Sequence, residues 1–492
     1  MSENKLNKIV SLCKRRGFIF QSSEIYGGLK SAYDFGPLGV ELKRNISNHW
    51  WSEMVTKRND IVGLDASIFM HPNVWKASGH LDGFSDPLVD CKICKERFRT
   101  DKAEKVSPGS EITITYKKKE FKNHVSELGV ICPVCGGADL SDERQFNLMF
   151  RTSLGPVDFI DRLSNILSEK SLSKKEIKEI IQEAVSENAV YLRPETAQAM
   201  FVQFQNIQQS QSMKVPFGIA QIGKSFRNEI KSEKFIFRTA EFEQMEMEFF
   251  VEPGTELEWI ETWSQERLNW WKSLSNTPDN FILREHEKDE LAHYANKCYD
   301  IEYKYPWGYD ELEGVASRTD YDLKKHAEHS GTKLSYFDQQ KQDPETGKNG
   351  WRYTPYVIEP AAGLTRGVLA FLCDAYTEET VEDKTRCFLK LDPKLAPFKC
   401  AILPLVKKDG LAEIATELSD KLLSNGIANK NDAQQSIGKR YAKHDEIGTP
   451  FCITVDHQTK EDKTVTLRDR DTTEQKRISI KEVIKKINEL NL

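Results

Sequence analysis

Scarcity narrows the field before any motif does. Ten cysteines are too few, over 492 residues, to frame a disulfide-stapled secreted protein. No apolar run approaches the roughly 18 residues that a membrane-spanning helix needs, and the opening Met1, Ser2, Glu3, Asn4 and Lys5 lack an apolar signal core. Internal repeats are lacking too. A surplus of positive charge is missing: 70 basic residues face 76 acidic ones, net -6, which argues against indiscriminate electrostatic binding to nucleic acid and leaves room for a specific RNA partner. Disorder throughout is excluded by 39% hydrophobic residues. The chain reads as a cytoplasmic globular protein with no membrane partner, long enough for roughly three domains.

Charge is unevenly spread, since residues 396–492 hold 17 basic and 15 acidic residues while residues 1–395 carry -8. Pro393 and Pro397 mark the boundary, and beyond them strand-like runs (Ala401-Ile402-Leu403, Phe451 to Val455, Val465 to Leu467) alternate with helical stripes. The stripes are Leu411, Ile414, Ala415, Leu418 and Leu422, and a closing Ile480, Val483, Ile484, Ile487 and Leu490. Upstream, Gly36-Pro37-Leu38-Gly39 opens a helix whose Leu42, Ile46, Trp50 and Met54 recur every four residues. Residues 91–145 read as a small inserted module with strands through Ile112, Ile114 and Tyr116, and 172–188 as a helical insertion. Two antiparallel strands are expected within 215–250, one through Phe217, Ile219 and Ile222 and one beginning near Phe235-Ile236-Phe237, joined by the charged stretch 227–234. Residues 338–350 read as an exposed loop, and Val357 to Pro360 as a strand leading through a glycine turn into an apolar helix.

The chemistry gathers in three places. Glu241, Glu243, Glu246 and Glu248 crowd one strand, with 241 and 243 on one face and 246 and 248 on the other; so many carboxylates repel unless they meet a cation. A solvated hairpin face is the plain alternative, and the aromatic density nearby favours a lined cleft. The run Glu359-Pro360-Ala361-Ala362-Gly363-Leu364-Thr365-Arg366 places a carboxylate, a glycine turn and an arginine where a phosphate can approach; taken alone, a plain strand–turn–helix joint is the commoner reading. Arg193-Pro194-Glu195-Thr196 is similar, or a helix start capped by Thr196. Separately, Cys91-x-x-Cys94 and Cys132-x-x-Cys135 suit tetrahedral zinc, each pair clamping one side of the ion. Their 38-residue separation exceeds the compact ribbon spacing, and reduced thiols or a vestigial knuckle are the alternatives.

Together these residues resemble the class II aminoacyl-tRNA synthetases. Phe35 to Trp51 resembles motif 1, Arg227-Asn228-Glu229 with Glu241 to Glu246 motif 2, and Glu359 to Arg366 motif 3. Ser23-Glu24-Ile25-Tyr26-Gly27-Gly28, Arg193 to Gln198 and Arg318-Thr319-Asp320-Tyr321-Asp322-Leu323 look like the single-chain glycyl-tRNA synthetases in particular. Ile437 to Tyr441, Asp445 to Pro450 and Val465 to Asp471 look like their anticodon-binding domain.

The resemblance implies an α+β fold: a catalytic core of antiparallel sheet flanked by helices (1–90 and 146–395), the inserted Cys-pair module (91–145) and a C-terminal α/β anticodon-binding domain (396–492). It implies a homodimer through motif 1, and glycine–tRNA ligase activity using ATP with Mg²⁺, glycine and tRNA(Gly). Arg227 and Arg366 are then the catalytic cations, on the α-phosphate and at the far end of ATP, where planar guanidinium forks suit phosphate. ATP would be lined by Arg227, Asn228, Glu229, Phe237, Arg238, Thr239, Ala240, Glu241, Phe242, Glu311, Leu312, Gly363, Leu364, Thr365 and Arg366, with Glu311 a magnesium contact and Phe242 stacking on adenine. Glycine would meet Arg99, Glu195, Phe242, Glu243, Gln244, Met245, Glu246, Glu359, Pro360, Ala361, Ala362 and Gly363, the acidic Glu195, Glu246 and Glu359 surrounding its ammonium.

Two positions depart from the family pattern. Arg238-Thr239-Ala240-Glu241-Phe242 lacks the usual second arginine, and Ala361 stands for the usual serine, removing a hydroxyl near glycine. Two rivals differ in class or substrate: a non-catalytic synthetase-like protein that only binds nucleic acid, and a synthetase for another small amino acid or threonine. Lys439, Arg440, Arg468 and Arg470 are expected as RNA contacts, or as a solvated basic rim.

Overall fold

The computed structural model of the chain describes residues 2–154, 164, 173–187, 189–229, 234–292, 294–381 and 384–489. Leu172, Asn188, residues 230–233 of the charged stretch and Leu490 lie outside them. Two compact units divide the chain: Met1–Ala66 with Thr196–Lys224 and Glu233–Leu492, and Ser67–Glu195 with Ser225–Ser232.

The first unit contains α1 (Ser2–Arg16), α2 (Pro37–Trp51), β1 (Ile61–Gly63), α3 (Ala197–Val202), β2 (Phe217–Phe226), β3 (Glu241–Val251), α4 (Glu256–Ser273) and β4 (Phe281–Glu285). There follow β5 (Lys297–Tyr305), β6 (Gly308–Thr319), α5 (Tyr321–Ser330), β7 (Tyr356–Gly363), α6 (Leu364–Ala375) and the hairpin β8 (Tyr376–Val381) and β9 (Lys384–Leu389). Seven strands form one sheet in the order β4-β5-β6-β7-β3-β2-β1; from β4 through β7 to β3 each strand is antiparallel to the next, and β2 runs parallel to β1. Pro37 supplies the first turn of α2 with its fixed φ, following an extended Gly36. The expected stripe Leu42, Ile46, Trp50 and Met54 is buried in one cluster with Met245, Met247 and Phe249 of β3 and Val368, Leu369 and Leu372 of α6.

Register decides what the sheet presents. Glu246 lies opposite Ala361, Ala361 opposite Gly314, Gly314 opposite Asp300 and Asp300 opposite Arg284, one row across five strands. Because side chains alternate, Gln244, Glu246, Glu248, Glu359 and Ala361 share the face turned away from the core, while Met245, Met247 and Ala362 belong to the core behind it.

Two local expectations are corrected. Phe235-Ile236-Phe237 is a single 3-10 turn, not a strand, because Lys234 and Phe235 sit at φ 57 and 62 and cannot continue extended chain. Most of 338–350 belongs to a hairpin, Tyr336–Gln342 paired with Asn349–Tyr353, anchored by the cross-strand pair Tyr336 and Tyr353 with ring centroids 5.7 Å apart. Its prolines and glycines had marked only the turn.

The C-terminal segment adds β10 (Cys400–Pro404), α7 (Leu411–Ser424), β11 (Asn429–Asn431), α8 (Ile437–Glu446), β12 (Phe451–Val455), β13 (Thr464–Asp469), β14 (Gln475–Ser479) and α9 (Ile480–Glu489). Its sheet runs β11-β10-β12-β13-β14, parallel across the first three strands and antiparallel across the last two. Leu411, Leu418, Leu422, Val483 and Ile487 pack on it as a core of their own, the expected α/β arrangement. The second unit holds two three-stranded sheets, Arg151–Ser153, Ala189–Leu192 and Phe69–Met70 in one, and Arg97–Arg99, Ser85–Asp90 and Arg144–Asn147 in the other. It also holds the helices Pro72–Ala77, His80–Gly83 and Lys174–Glu187 and the hairpin Glu111–Tyr116 with Lys119–His124.

Candidate active site

On the open face of the first unit's sheet, a cation meets the carboxylates of Glu359 and Asp322. Arg318, at the end of β6, donates through Nη1 to both oxygens of Glu359 at 2.9 and 3.0 Å, and through Nε and Nη2 to Asp322 at 2.8 and 3.0 Å. All three residues are buried, and the Tyr294 ring covers the guanidinium at 4.0 Å. Asp322 also accepts from Gln198 Nε2 at 3.1 Å, and Gln198 Oε1 lies 2.8 Å from His326 Nε2, so α3 and α5 are tied together beneath the site. Glu246 accepts from the Thr196 amide at 3.0 Å, from the Thr196 hydroxyl and from the Gln244 amide. Between these groups Glu248 is fully buried with no hydrogen-bond partner among the described residues. Burial, reinforced by the neighbouring Glu359 charge, pushes its carboxyl well up from the usual carboxylate range.

The floor between Glu359 and Glu246 is Ala361, with Gly314 and Ala316 on the next strand. Met245, Ala362 and Leu312 point into the core, which corrects the expectation that each of them lines the cleft: what they offer a ligand is backbone. Glu241 and Glu243 are paired, with Lys224 and Lys43, and Thr365 accepts from the Glu243 amide at 3.0 Å. With Phe242, Tyr33 and Phe35 they line a cavity of about 340 Å³.

Arg366 marks the other end. Its guanidinium lies 4.6 Å over the Phe237 ring, donates to the Phe237 carbonyl at 3.3 Å and the Glu311 carbonyl at 3.2 Å, and pairs with the Glu311 carboxylate at 3.1 Å. Phe237 is itself packed edge-on against Tyr305 and Trp307. Gly363 has a local reason: a Cβ there would stand 3.3 Å from Cβ, Cγ and Cδ of Arg366, which folds back across it. Ala240 donates its amide to the Ser31 carbonyl at 2.9 Å, and the Thr239 hydroxyl donates to the Glu241 carbonyl at 2.8 Å.

The second unit holds the remaining candidates. Arg227 donates to the Pro194 carbonyl at 3.1 Å and lies 5.5 Å over the Phe84 ring. The Asn228 amide reaches the Leu148 carbonyl at 2.7 Å. Arg99 pairs with Asp86 and Asp101 at 2.8 and 2.6 Å, and Glu229 adds to the negative field on it. Glu195 faces His80 Nε2 at 3.4 Å, and Nδ1 of that ring is 2.7 Å from the Ser78 hydroxyl.

The four paired cysteines also converge there. Their sulfurs lie within 4.8 Å of one another, with Cys91 and Cys135 3.6 Å apart and Cys94 and Cys132 3.5 Å apart. Each pair turns the same way: Lys95 and Gly136, the residues after the second cysteine, sit at φ 67 and 72. The long sequence gap that argued against a ribbon holds the strand Arg97–Arg99 and the Glu111–His124 hairpin.

Arg440, Arg468 and Arg470 correct the expectation of RNA contacts. All three are buried: Arg440 serves the Pro404, Asp432 and Leu405 carbonyls, Arg468 pairs with Asp445, and Arg470 serves the Gly448 and Leu391 carbonyls. Only Lys439 of that set is exposed. Arg318, Asp322, Gln198 and His80 were missed as site-building residues. The i, i+4 spacing of Arg318 and Asp322 was the available signal.

Comparison with known proteins agrees with this geometry. Residues 180–379 match the tRNA synthetase class II core domain (G, H, P, S and T), and residues 399–490 match the anticodon binding domain. A glycine–tRNA ligase of Treponema denticola is 50% identical over 496 residues, covering 99% of this chain and 98% of that protein. One from Alkaliphilus oremlandii is 48% identical, covering 99% of each. Among solved structures, prolyl-tRNA synthetase of Cryptosporidium parvum, complexed with L-proline and AMP, superposes with a TM-score of 0.57 at 14% identity, over 98% of this chain and 74% of that one. That likeness speaks for the fold.

Proposed function

The chain belongs to the glycine–tRNA ligase family of class II synthetases, and from that footing we propose how its residues divide the reaction. The enzyme activates glycine with ATP and transfers the glycyl group to tRNA. In the first step a glycine carboxylate oxygen attacks the α-phosphorus, forming the acyl–phosphate bond as the bond to the β-phosphate oxygen breaks and pyrophosphate leaves. In the second, a hydroxyl of the 3′-terminal adenosine attacks the acyl carbon and AMP leaves.

Two anions must meet in the first step, so fixed positive charge is the main requirement. Arg227 holds the α-phosphate and Arg366 the far phosphates; Phe242 stacks on adenine and Glu229 contacts it. Glu311 contacts the magnesium that arrives with ATP. Glu195, Glu246 and Glu359 surround the glycine ammonium, over a floor of Ala361, Gly314 and Ala316. What supports this most is Glu359 and Glu246 on one face of the sheet, each held by a dedicated donor and separated by Ala361.

Pyrophosphate exchange into ATP is the test. Glycine should support it, and alanine, serine and threonine should fall short by at least about a hundredfold, the range a steric or unpaired-group penalty supplies. Equal exchange with alanine or serine would overturn the glycine reading; no exchange with any of them would return the non-catalytic alternative.

We assign residues 1–90 and 146–395 to catalysis, 91–145 to the cysteine module and 396–492 to anticodon binding, with the helix Pro37–Trp51 at a homodimer interface. Cys91, Cys94, Cys132 and Cys135 fit structural zinc: a tetrahedron with Zn–S bonds near 2.3 Å sets sulfurs roughly 3.8 Å apart, close to the separations above. The module's own apolar core is small, centred on Phe98, Val130 and Leu140, and such cores need a staple. Native mass spectrometry checks both assignments. A species of two chains with two zinc ions is expected; a metal-free spectrum rejects the zinc, and a monomer rejects the dimer. Among the described residues no helix is long and apolar enough to cross a membrane.

A further inference from the structure

Asp445-Glu446-Ile447-Gly448, one of the runs that resembled the anticodon-binding domain, has no role in the reaction just described, and the side chains around it face inward. Each of its four residues docks on the part of the unit that precedes residue 396. Asp445 takes both arms of Arg468 at 2.8 and 2.9 Å, and from strand β9 it takes Arg386 Nε and Nη2 at 3.1 and 2.9 Å. Glu446 pairs with Arg16 and, at 3.4 Å, with Arg15, both at the end of α1. Ile447 is buried in the catalytic core cluster, with Leu389, Leu391 and Leu395, not in the C-terminal segment's own core. Gly448 sits at φ 80, and a Cβ there would stand 2.7 Å from Leu391 Cδ1.

The connecting chain is fixed as well. Lys399 is buried and its Nζ donates to the carbonyls of Pro393, Lys394 and Ala396 at 2.7, 2.8 and 3.2 Å. Asn45, on α2, donates to the Leu395 and Ala396 carbonyls, both at 3.1 Å. Arg470 reaches back to the Leu391 carbonyl at 2.9 Å. Every carbonyl from 393 to 396 thus accepts from a side chain on this list or, in the case of 395 and 396, from Asn45. A connection built to swing would leave such groups to solvent; here they are bound by buried cations and an amide.

We propose that Asp445–Gly448, with Arg386, Arg468 and Lys399, is a rigid joint that fixes the anticodon-binding domain on the catalytic core and so sets where a docked tRNA delivers its 3′ end. These are positioning residues: none touches glycine, ATP or the reacting atoms. The inference rests on reading residues 396–492 as the tRNA-binding domain. A displacement of about 1 Å at a reacting end can cost on the order of a hundredfold, and the lever from the anticodon to the 3′ end is long, so loosening the joint acts on transfer and leaves activation alone.

The test compares three reactions of the full-length enzyme: glycine-dependent pyrophosphate exchange, charging of full-length tRNA(Gly), and charging of an acceptor-stem minihelix that has no anticodon. In Arg386→Ala, exchange and minihelix charging should stay within about twofold of the parent, while kcat/KM for full-length tRNA falls about tenfold or more, mostly through kcat for transfer. Arg386→Lys keeps the charge without the fork and should lie between; it also serves if the alanine variant does not fold. Equal losses in all three reactions would mean a merely structural role, and unchanged charging of full-length tRNA would mean no role; either overturns the proposal. Absence of exchange in the parent enzyme would instead strike the ligase reading itself.

Discussion

Replacing Arg366 with alanine should lower glycine-dependent pyrophosphate exchange by about a hundredfold to a thousandfold, the range measured when one preorganised donor is removed from a developing negative charge. The expectation rests on how little freedom this guanidinium has. Two backbone carbonyls, the Glu311 carboxylate and the Phe237 face hold it before substrate arrives, so its charge needs no reorganisation during the reaction. Arg366→Lys should recover little, since a point charge cannot keep the fork-shaped contacts with two carbonyls and a carboxylate. Steady-state exchange kinetics as a function of ATP and glycine decide it. If Arg366 acts on ATP, the ATP parameters carry the loss and the glycine KM moves little; a loss below about threefold would remove Arg366 from the site.

Arg318→Met is the second large effect, and it falls on stability as well as activity. Glu359 and Asp322 would be left as buried carboxylates without their cation, and breaking a buried pair from one side typically costs about 3–5 kcal/mol. In a chain of this size that lowers the unfolding midpoint by roughly 3–5 °C. Glycine KM should rise steeply, because Glu359 would recoil toward its protonated form and cease to attract an ammonium. Adding Asp322→Leu to Arg318→Met should restore part of the midpoint and none of the glycine affinity, which separates folding from binding. A midpoint within about 2 °C of the parent, measured by calorimetry, would show that Arg318 is not the cation that lets the carboxylates share this face.

The parts that could be read from sequence were those with a short period or a short motif. The four-residue stripe of α2, the alternation along β3 and the strand–helix order of the C-terminal segment are local patterns, and local backbone geometry reproduces them. The class II core and anticodon-binding segment followed from motif order, which family matches over 180–379 and 399–490 bear out. What stayed hidden depends on partners distant in the chain. Nothing in a run of Lys and Arg near the C-terminus tells a solvated cation from one consumed by carbonyls, so Arg440, Arg468 and Arg470 looked like RNA contacts until their carbonyl and Asp445 partners were located. Arg318 reads from sequence as part of a motif and not as chemistry, because Glu359, 41 residues away, gives it its role. The 3-10 turn at Phe235 to Phe237 was missed since a left-handed Lys-Phe pair leaves no trace in hydrophobicity.

The α2 stripe has a consequence for how the chain is made. Leu42, Ile46 and Trp50 find their burial against Phe249, Val368 and Leu372, residues that leave the ribosome some two to three hundred positions later. At about 5–20 residues per second, that apolar face is without its partners for on the order of ten seconds or more during each round of synthesis. β1 waits too, because its parallel partner Phe217–Phe226 lies beyond the second unit. The N-terminal helices are therefore the segment that must be shielded on the nascent chain, and the sheet closes only when its last third has been translated.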